Sequence, residues 1–298
     1  MRAPVASDDR RQSRDITALA ALSLFCDTAL AARIERVETQ LIALGGEAAR
    51  ARTAEPGFVI PLAGGVAAFC EDDSPFNKVA GLGFHGVPSE AELDQVERAF
   101  AARDCPVQVE LSNLAQPAIG ALLTDRGYRL MSFENVLGRA IDGEPEPIAA
   151  PGVEVRRSGE EEFHAWHRVI ADGFAHPDTQ GVPSHEEFPD DIIERAERDL
   201  AAAGGVRYIA LRDGVVAGGA GLRIAEGVAQ MTGAATAPAH RRQGVQTALL
   251  AVRLADAAAA GCDIAVVTTQ PGSKSQQNVQ RRGFDPLYTR AVLVRQLA

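Results

Sequence analysis

The chain is poor in cysteine. Cys26, Cys70, Cys105 and Cys262 are widely spaced among 298 residues, with no Cys-x-x-Cys pair. They read as buried small hydrophobes in a reducing compartment, not as a disulfide framework. Long apolar runs are also missing. Arg253 and Asp256 interrupt the longest apolar helix, so nothing approaches the roughly 20 residues that span a bilayer. Residues 1–14 are polar and charged, hold no signal-peptide core, and read as a disordered tail. A cytoplasmic protein with no membrane partner is the expectation. Positive charge is not in excess: the net charge is −10 and the pI near 5.2, which argues against nucleic acid as the main partner. Collagen-like, coiled-coil and low-complexity segments are absent. His164 and His167 stand one turn apart on a helical segment but have no third ligand, so no metal is expected.

The most informative run is Ala234-Ala-Thr-Ala-Pro-Ala-His-Arg-Arg-Gln-Gly-Val-Gln-Thr-Ala-Leu-Leu250. A strand-like stretch ends at Thr236, a Pro and a basic pair follow, and an amphipathic helix starts at once. Such a turn leaves the first N–H groups of the helix unpaired at the positive end of its dipole, which makes an anion site. Gly244 lets main chain approach a phosphate, and Arg241 and Arg242 add charge. Upstream, Val206–Leu211, Val215–Ile224 and Val228–Thr236 read as an antiparallel meander joined by Asp-Gly and Glu-Gly turns. Downstream come a helix ended by Gly261, a buried strand Ile264–Thr269, a second helix from Pro271-Gly272-Ser273 to Gly283-Phe284, and a last strand Tyr288–Val294.

The turn resembles the coenzyme A signature of the GNAT acetyltransferase superfamily, Gln/Arg-x-x-Gly-x-Gly/Ala. Arg241 and Gly244 match it, and Gln246 departs from its small residue. The order of elements from Val153 to the end resembles a full domain of that family, with Glu160–Gly173 and Glu186–Ala203 as its first two helices. The resemblance covers about half the chain.

The first half repeats the second at a constant offset of 156 residues. Arg126-Gly127-Tyr128 falls on Arg282-Gly283-Phe284, Val107–Asn113 on Asp263–Thr269, Ser89–Arg103 on Val245–Ala259, and Arg139 on Arg295. Pro88 stands opposite Gly244, Glu90 opposite Gln246, and His85 opposite Arg241. A lost N–H donor and an added negative charge make the first copy a degenerate one that binds no coenzyme. The expected organisation is a disordered tail over 1–17, a degenerate GNAT-like domain over 18–141, a linker over 142–152 and a GNAT acetyltransferase domain over 153–298. Residues 18–62 are expected to be helical but broken by Pro and Gly. The expected fold class is α/β, of the α+β type, each domain a mixed, mostly antiparallel sheet flanked by helices.

The resemblance implies N-acetyltransfer from acetyl-CoA to an amine by direct attack, with acetyl-CoA as cosubstrate. It places pantetheine in a gap between Thr232–Thr236 and Ile264–Thr269, with an oxyanion donor near Ala234 or Ala235. The expected coenzyme-binding set is Ala234, Ala235, Thr236, Arg241, Arg242, Gln243, Gly244, Val245, Gln246, Thr247, Ser275 and Asn278. The family's thiolate-protonating Tyr is replaced by Val279, which leaves Tyr288 or solvent as the acid. Phe174–Asp191 would cover the acceptor. Its acidic residues, with Glu186 as the candidate base, suit a cationic amine. A small-molecule amine is expected over a protein, and a monomer or homodimer over a larger assembly. Two alternatives stay open: a non-catalytic coenzyme A or acyl-CoA binding module, and an acyltransferase that uses a longer acyl chain.

Overall fold

The computed structural model describes residues 24–54, 56–143, 150–177, 180–182 and 187–297. The tail and most of the linker expected from sequence lie outside these residues. The first half runs α1 (Thr28–Arg52), β1 (Phe58–Leu62), β2 (Gly65–Phe69), β3 (Lys78–Ala80), α2 (Glu90–Ala101), β4 (Val107–Ser112), α3 (Pro117–Asp125) and β5 (Arg129–Ala140). The second runs β6 (Val153–Arg157), α4 (Phe163–Ala175), α5 (Asp190–Ala202), β7 (Gly205–Arg212), β8 (Val215–Ala225), β9 (Val228–Gln230), β10 (Ala234–Thr236), α6 (Val245–Ala259), β11 (Ile264–Thr269), α7 (Lys274–Gln280) and β12 (Asp285–Arg295). No helix among the described residues is long and apolar enough to cross a membrane.

The mixed α/β class is the one read from sequence. The two sheets, however, are joined into a single one, in the order β1-β2-β3-β4-β12-β5-β11-β9-β8-β7-β6, with β10 paired to β8 alone beside that path. The halves have exchanged their last strands. β12, from the second half, lies antiparallel to β4, and β5, from the first half, lies antiparallel to β11. The exchanged strands pair with each other in a register symmetric under the offset of 156. Tyr288 faces Val136 where Val292 faces Ser132, and both bulges recur. Arg290 faces Glu134, its own equivalent. A pseudo-twofold axis therefore passes through this pair. A perfect repeat would set like charges against each other there, and Arg opposite Glu removes the conflict.

Alternation along the strands sorts the side chains into two layers. Tyr208, Ala210 and Ala265 meet α6 in one core, while Ile209 meets α4 and Ile264 and Val266 meet α1 across the sheet. Phe69, Val96, Phe100 and Ile119 build the corresponding core under α2 and α3. Trp166 is fully buried on α4, and its Nε1 donates to Tyr208 O at 3.0 Å.

α1 corrects the expectation of broken helices before residue 62. It starts at Asp27, whose carboxylate accepts from Leu30 N at 2.8 Å, and runs straight through Gly45-Gly46. These glycines let the helix lie close on the sheet. A Cβ on Gly46 would stand 2.7 Å from Val59 Cγ2, and one on Gly45 would stand 2.9 Å from Phe76 Cε1. The tertiary contact outweighs the helix propensity lost at glycine. Gly46→Leu is expected to cost about 1–3 kcal/mol by overpacking, read as a lower midpoint in urea with unchanged slope.

α1 also ties the halves together. Arg33 pairs with Asp263 and Arg36 with Glu226, both at 2.8 Å, and Arg52 reaches Asp199 on α5 at 2.9 Å. Beneath it, at the pseudo-twofold axis, lies a buried ionic cluster. Arg290 meets Glu35 at 2.8 Å, Glu110 at 3.7 Å, and Glu38 and Glu134 at 3.9 Å each. Lys78 also pairs with Glu110. Burial holds the Glu35 carboxyl above its ordinary range, against the pull of Arg290.

Candidate functional site

The expected strand Val228–Thr236 is in fact two. β9 pairs in parallel with β11 as far as Gln230 opposite Val266, and Met231 N donates to Val266 O at 2.8 Å. A bulge follows: Gly221 N donates to Thr232 O at 3.1 Å and to Gly233 O at 2.9 Å. Beyond it β10 keeps to β8 while residues 267–269 of β11 keep to β5, so the strands part and leave a wedge. The bonds Gly221 N to Gly233 O and Ala237 N to Ala217 O make 233, 235 and 237 the residues that face β8. The N–H groups of Ala234 and Thr236 therefore point into the wedge. Of the two candidate oxyanion donors, alternation selects Ala234. The Ala235 side chain packs on α4, its Cβ 2.5 Å from where a Cβ on Gly173 would be.

Arg253 supports the bulge from the α6 side. Its guanidinium is buried and donates to Leu249 O at 3.1 Å, Gly221 O at 2.9 Å and Thr232 O at 3.3 Å. Burial pushes its pKa down to about 10, which leaves it charged at neutral pH.

At the mouth of the wedge stands the turn into α6. Arg242 and Gly244 both take left-handed dihedrals, φ 61° and 85°. Gly244 is the N-cap residue and supplies no side-chain cap. The first helical bond runs from Ala248 N to Gly244 O at 2.9 Å, so the N–H groups of Val245, Gln246 and Thr247 have no partner within the helix. Arg282 Nη2 donates to Thr247 Oγ1 at 3.0 Å, and Arg139, from the first half, grips the Arg282 carbonyl at 2.9 Å. Arg212 meets the Gln243 carbonyl at 3.2 Å. Arg241 points elsewhere. It donates to the carbonyls of Gly173 and His176, where its charge complements the C-terminal end of α4. Ser275 is exposed and Asn278 half-buried on α7, while Val279 is buried in the core beside α6.

The first half differs at each of these points. β3 pairs directly with β4, Val79 opposite Val109 and Ala80 opposite Glu110, and Gln116 N closes on Gly83 O at 3.1 Å. The start of α2 is capped from within: Glu92 N donates to Ser89 Oγ at 3.3 Å and Ser89 N to Glu92 Oε2 at 2.8 Å. No wedge opens there, and part of the donor set is already used.

The buried side-chain atoms without a hydrogen-bond partner include Thr232 Oγ1, Thr236 Oγ1, Thr269 Oγ1 and Gln270 Oε1. All four belong to the segments that bound the wedge. Orphaned polar atoms in such number cost free energy unless a ligand meets them. An extended, amide-bearing chain with an anionic end fits this arrangement: main-chain and side-chain partners along the wedge, then N–H groups at α6.

The acceptor-side expectations fare unevenly. Asp178, His185 and Glu186 lie outside the described residues. α5 begins at Asp190, not Glu186, after Pro189 at its N-cap. Gln180 Nε2 donates to Gly272 O at 3.4 Å and Val182 N to Pro271 O at 3.3 Å, so this segment meets the loop before α7. Tyr288 is buried in the axial cluster, its hydroxyl donating to Glu35 Oε1 at 2.7 Å. Burial, then the charge of Glu35, holds that hydroxyl well above the ordinary tyrosine range. His167 is buried and stacks on Phe163, with Nε2 3.2 Å from Asp190 Oδ1. The residues that sequence reading missed are Arg253, Arg282 and Glu197, the last on α5 above the bulge. Nothing in the local pattern of α5 marks Glu197; only the bulge beneath it does.

The structure thus carries a wedge between parting strands that leads to an uncapped helix start. Residues 165–284 match the model of the acetyltransferase (GNAT) family. Over its length the chain is similar to a GCN5-related N-acetyltransferase from Kribbella flavida, at 25% identity and a TM-score of 0.63, covering 90% of this chain and 96% of that one. It also shares its fold with a tandem GNAT protein from the clavulanic acid biosynthesis pathway (14% identity, TM-score 0.57, 87% and 95% covered). A GCN5-related N-acetyltransferase from Sphaerobacter thermophilus is similar over 69% of this chain and 67% of its own, at 15% identity and a TM-score of 0.51. No curated protein matches the sequence.

Proposed function

We propose that the chain is an acyl-CoA-dependent N-acyltransferase that moves acetyl from acetyl-CoA to the amine of a small molecule by direct attack. The second half, with boundaries near 153–298, holds the coenzyme. The first half, near 18–141, is a partner that supplies β5, Arg139 and α1. The observation that carries this reading is the wedge with its four orphaned polar atoms, leading to the uncapped start of α6 inside the segment that matches the GNAT family. Pantetheine would run between β10 and β11, and the Ala234 N–H would polarise the thioester carbonyl. The pyrophosphate would meet the N–H groups of Gly244 to Thr247, with Arg242 and Arg282 nearby. The contact of Arg241 with α4 supports a positioning role for that residue, linking the phosphate turn to the acceptor segment.

Calorimetric titration with acetyl-CoA is expected to give one site per chain, and addition of an amine panel is expected to release free thiol. Two equivalent sites would overturn the assignment of the first half as degenerate. Absence of binding would overturn the proposal.

A further inference from the structure

We propose that Glu197 takes the proton from the attacking amine, at the point where the bulge opens the wedge; this rests on the acyl-transfer reading above. α5 crosses over the bulge, and Glu197 lines a narrow crevice together with Gly205, Arg207, Gly221 and Thr232. The carboxylate lies against the bulge itself. Its Oε1 is 3.3 Å from where a Cβ on Gly233 would stand, so a glycine there keeps the main chain open to it. Two other polar atoms of the crevice, Arg207 Nη1 and Thr232 Oγ1, are buried and lack a hydrogen-bond partner among the described residues.

The other acids of α5 are engaged. Asp191 pairs with Arg195 at 3.1 Å, Glu194 with Arg198 at 3.3 Å, Asp199 with Arg52 at 2.9 Å, and Asp190 lies 3.2 Å from His167. Glu197 has no ion pair or hydrogen bond among the described residues. The packed elements bring few charges to it. Arg52 of α1 is held by Asp199 and Glu71, and His164 and His167 of α4 face Glu194 and Asp190. From β7, Arg207 acts on it, with Nη2 held by Glu160 at 2.6 Å. Burial lifts the Glu197 carboxyl to about 7, against the pull of Arg207. A carboxylate there is a base matched to neutral pH.

The step balances. The amine arrives as an ammonium and gives one proton to the Glu197 carboxylate. The freed lone pair forms the bond to the thioester carbonyl carbon. The C–S bond breaks with its electron pair on sulfur, the remaining excess proton on nitrogen passes to sulfur through solvent, and Glu197 returns its proton to solvent. The products are the amide, the thiol and one proton.

Glu197→Gln keeps the shape of the protonated acid, so the fold is preserved. It is expected to lower kcat/KM about 100-fold or more, to remove the rising limb of the pH–rate profile near neutrality, and to leave the acetyl-CoA Kd within about twofold. Glu197→Asp should recover part of the rate and a limb. A readout independent of turnover is thermal stability. A carboxyl raised in the folded state contributes stability below its unfolded pKa and loses it as pH rises through the folded one. The wild-type Tm should therefore fall relative to Glu197→Gln between about pH 5 and 8. A variant that keeps both rate and limb, or that loses acetyl-CoA affinity in step with rate, overturns the role of Glu197 alone. Wild-type protein that binds acetyl-CoA but releases no thiol with any amine overturns the acyl-transfer reading and this role with it.

Discussion

Arg290→Met is expected to destabilise the protein by about 3–5 kcal/mol, the cost of stranding buried carboxylates without their cation. Arg290 is buried and is the guanidinium shared by Glu35, Glu38, Glu110 and Glu134. Glu110 keeps Lys78, whereas Glu35 keeps the Tyr288 hydroxyl and no cation at bonding distance. The lost stability should depend on pH with a definite sign. The folded-state pKa of Glu35 is already raised by burial, and removal of Arg290 raises it further. Stability tied to such a group is present below its unfolded pKa and lost as pH rises through the folded one. The deficit should thus be largest at neutral and alkaline pH and shrink in mild acid. Urea melts of wild type and variant at about pH 5 and pH 8 would measure this. Adding Glu35→Gln should recover part of the loss, because the pair is coupled. Equal stability of the wild type and the single variant at pH 8 would show that the cluster does not hold the two halves together.

Gly244→Glu is expected to weaken acetyl-CoA binding by about 100-fold or more while the fold survives. Two effects act in the same direction. At φ 85° any residue but glycine is strained, at about 1–2 kcal/mol. The new Cβ would also stand 3.2 Å from Ala150 Cβ. A carboxylate within about 4 Å of a phosphate adds roughly 4 kcal/mol of repulsion per charge pair at an effective dielectric of 20. Gly244→Ala separates the terms, since it carries the strain without the charge and should lose far less affinity. Gly244→Pro is a harsher test, because proline locks φ near −65° and removes a donor. Calorimetry at two salt concentrations would decide, with the penalty of the Glu variant shrinking as salt screens it. Unchanged affinity in Gly244→Glu would remove the turn into α6 from the coenzyme site.

These two residues lie at opposite ends of what sequence can convey. Gly244 sits in a short run whose residue types carry their own meaning: a Pro, a basic pair and a glycine between a strand and an apolar helix. Local chemistry sets that turn, and it was readable. Arg290 is one charge in an apolar strand, and nothing near it in sequence explains it. Its partners come from α1, β4 and β5, more than 150 residues away along the chain. Tyr288 was misjudged for the same reason. A Tyr near the end of the chain reads as an available acid until its hydroxyl is seen to donate to Glu35, on the first helix.

The sequence by itself determined most of the order of elements in the second half, the offset of 156 residues between the halves, and the turn into α6, with Pro88 and Glu90 opposite Gly244 and Gln246. Each of these is written in short-range patterns of periodicity, turn residues and charge. Only the tertiary structure decided that β5 and β12 are exchanged, that one sheet spans both halves, that β10 and β11 part beyond a bulge, and that Glu197 stands over it. The reason is physical. Equivalent strands of a duplicated domain offer the same alternation and the same main-chain hydrogen bonds, so either can complete either sheet. The choice lies with long-range packing, here α1 laid across both halves and Arg290 facing Glu134 on the axis between them.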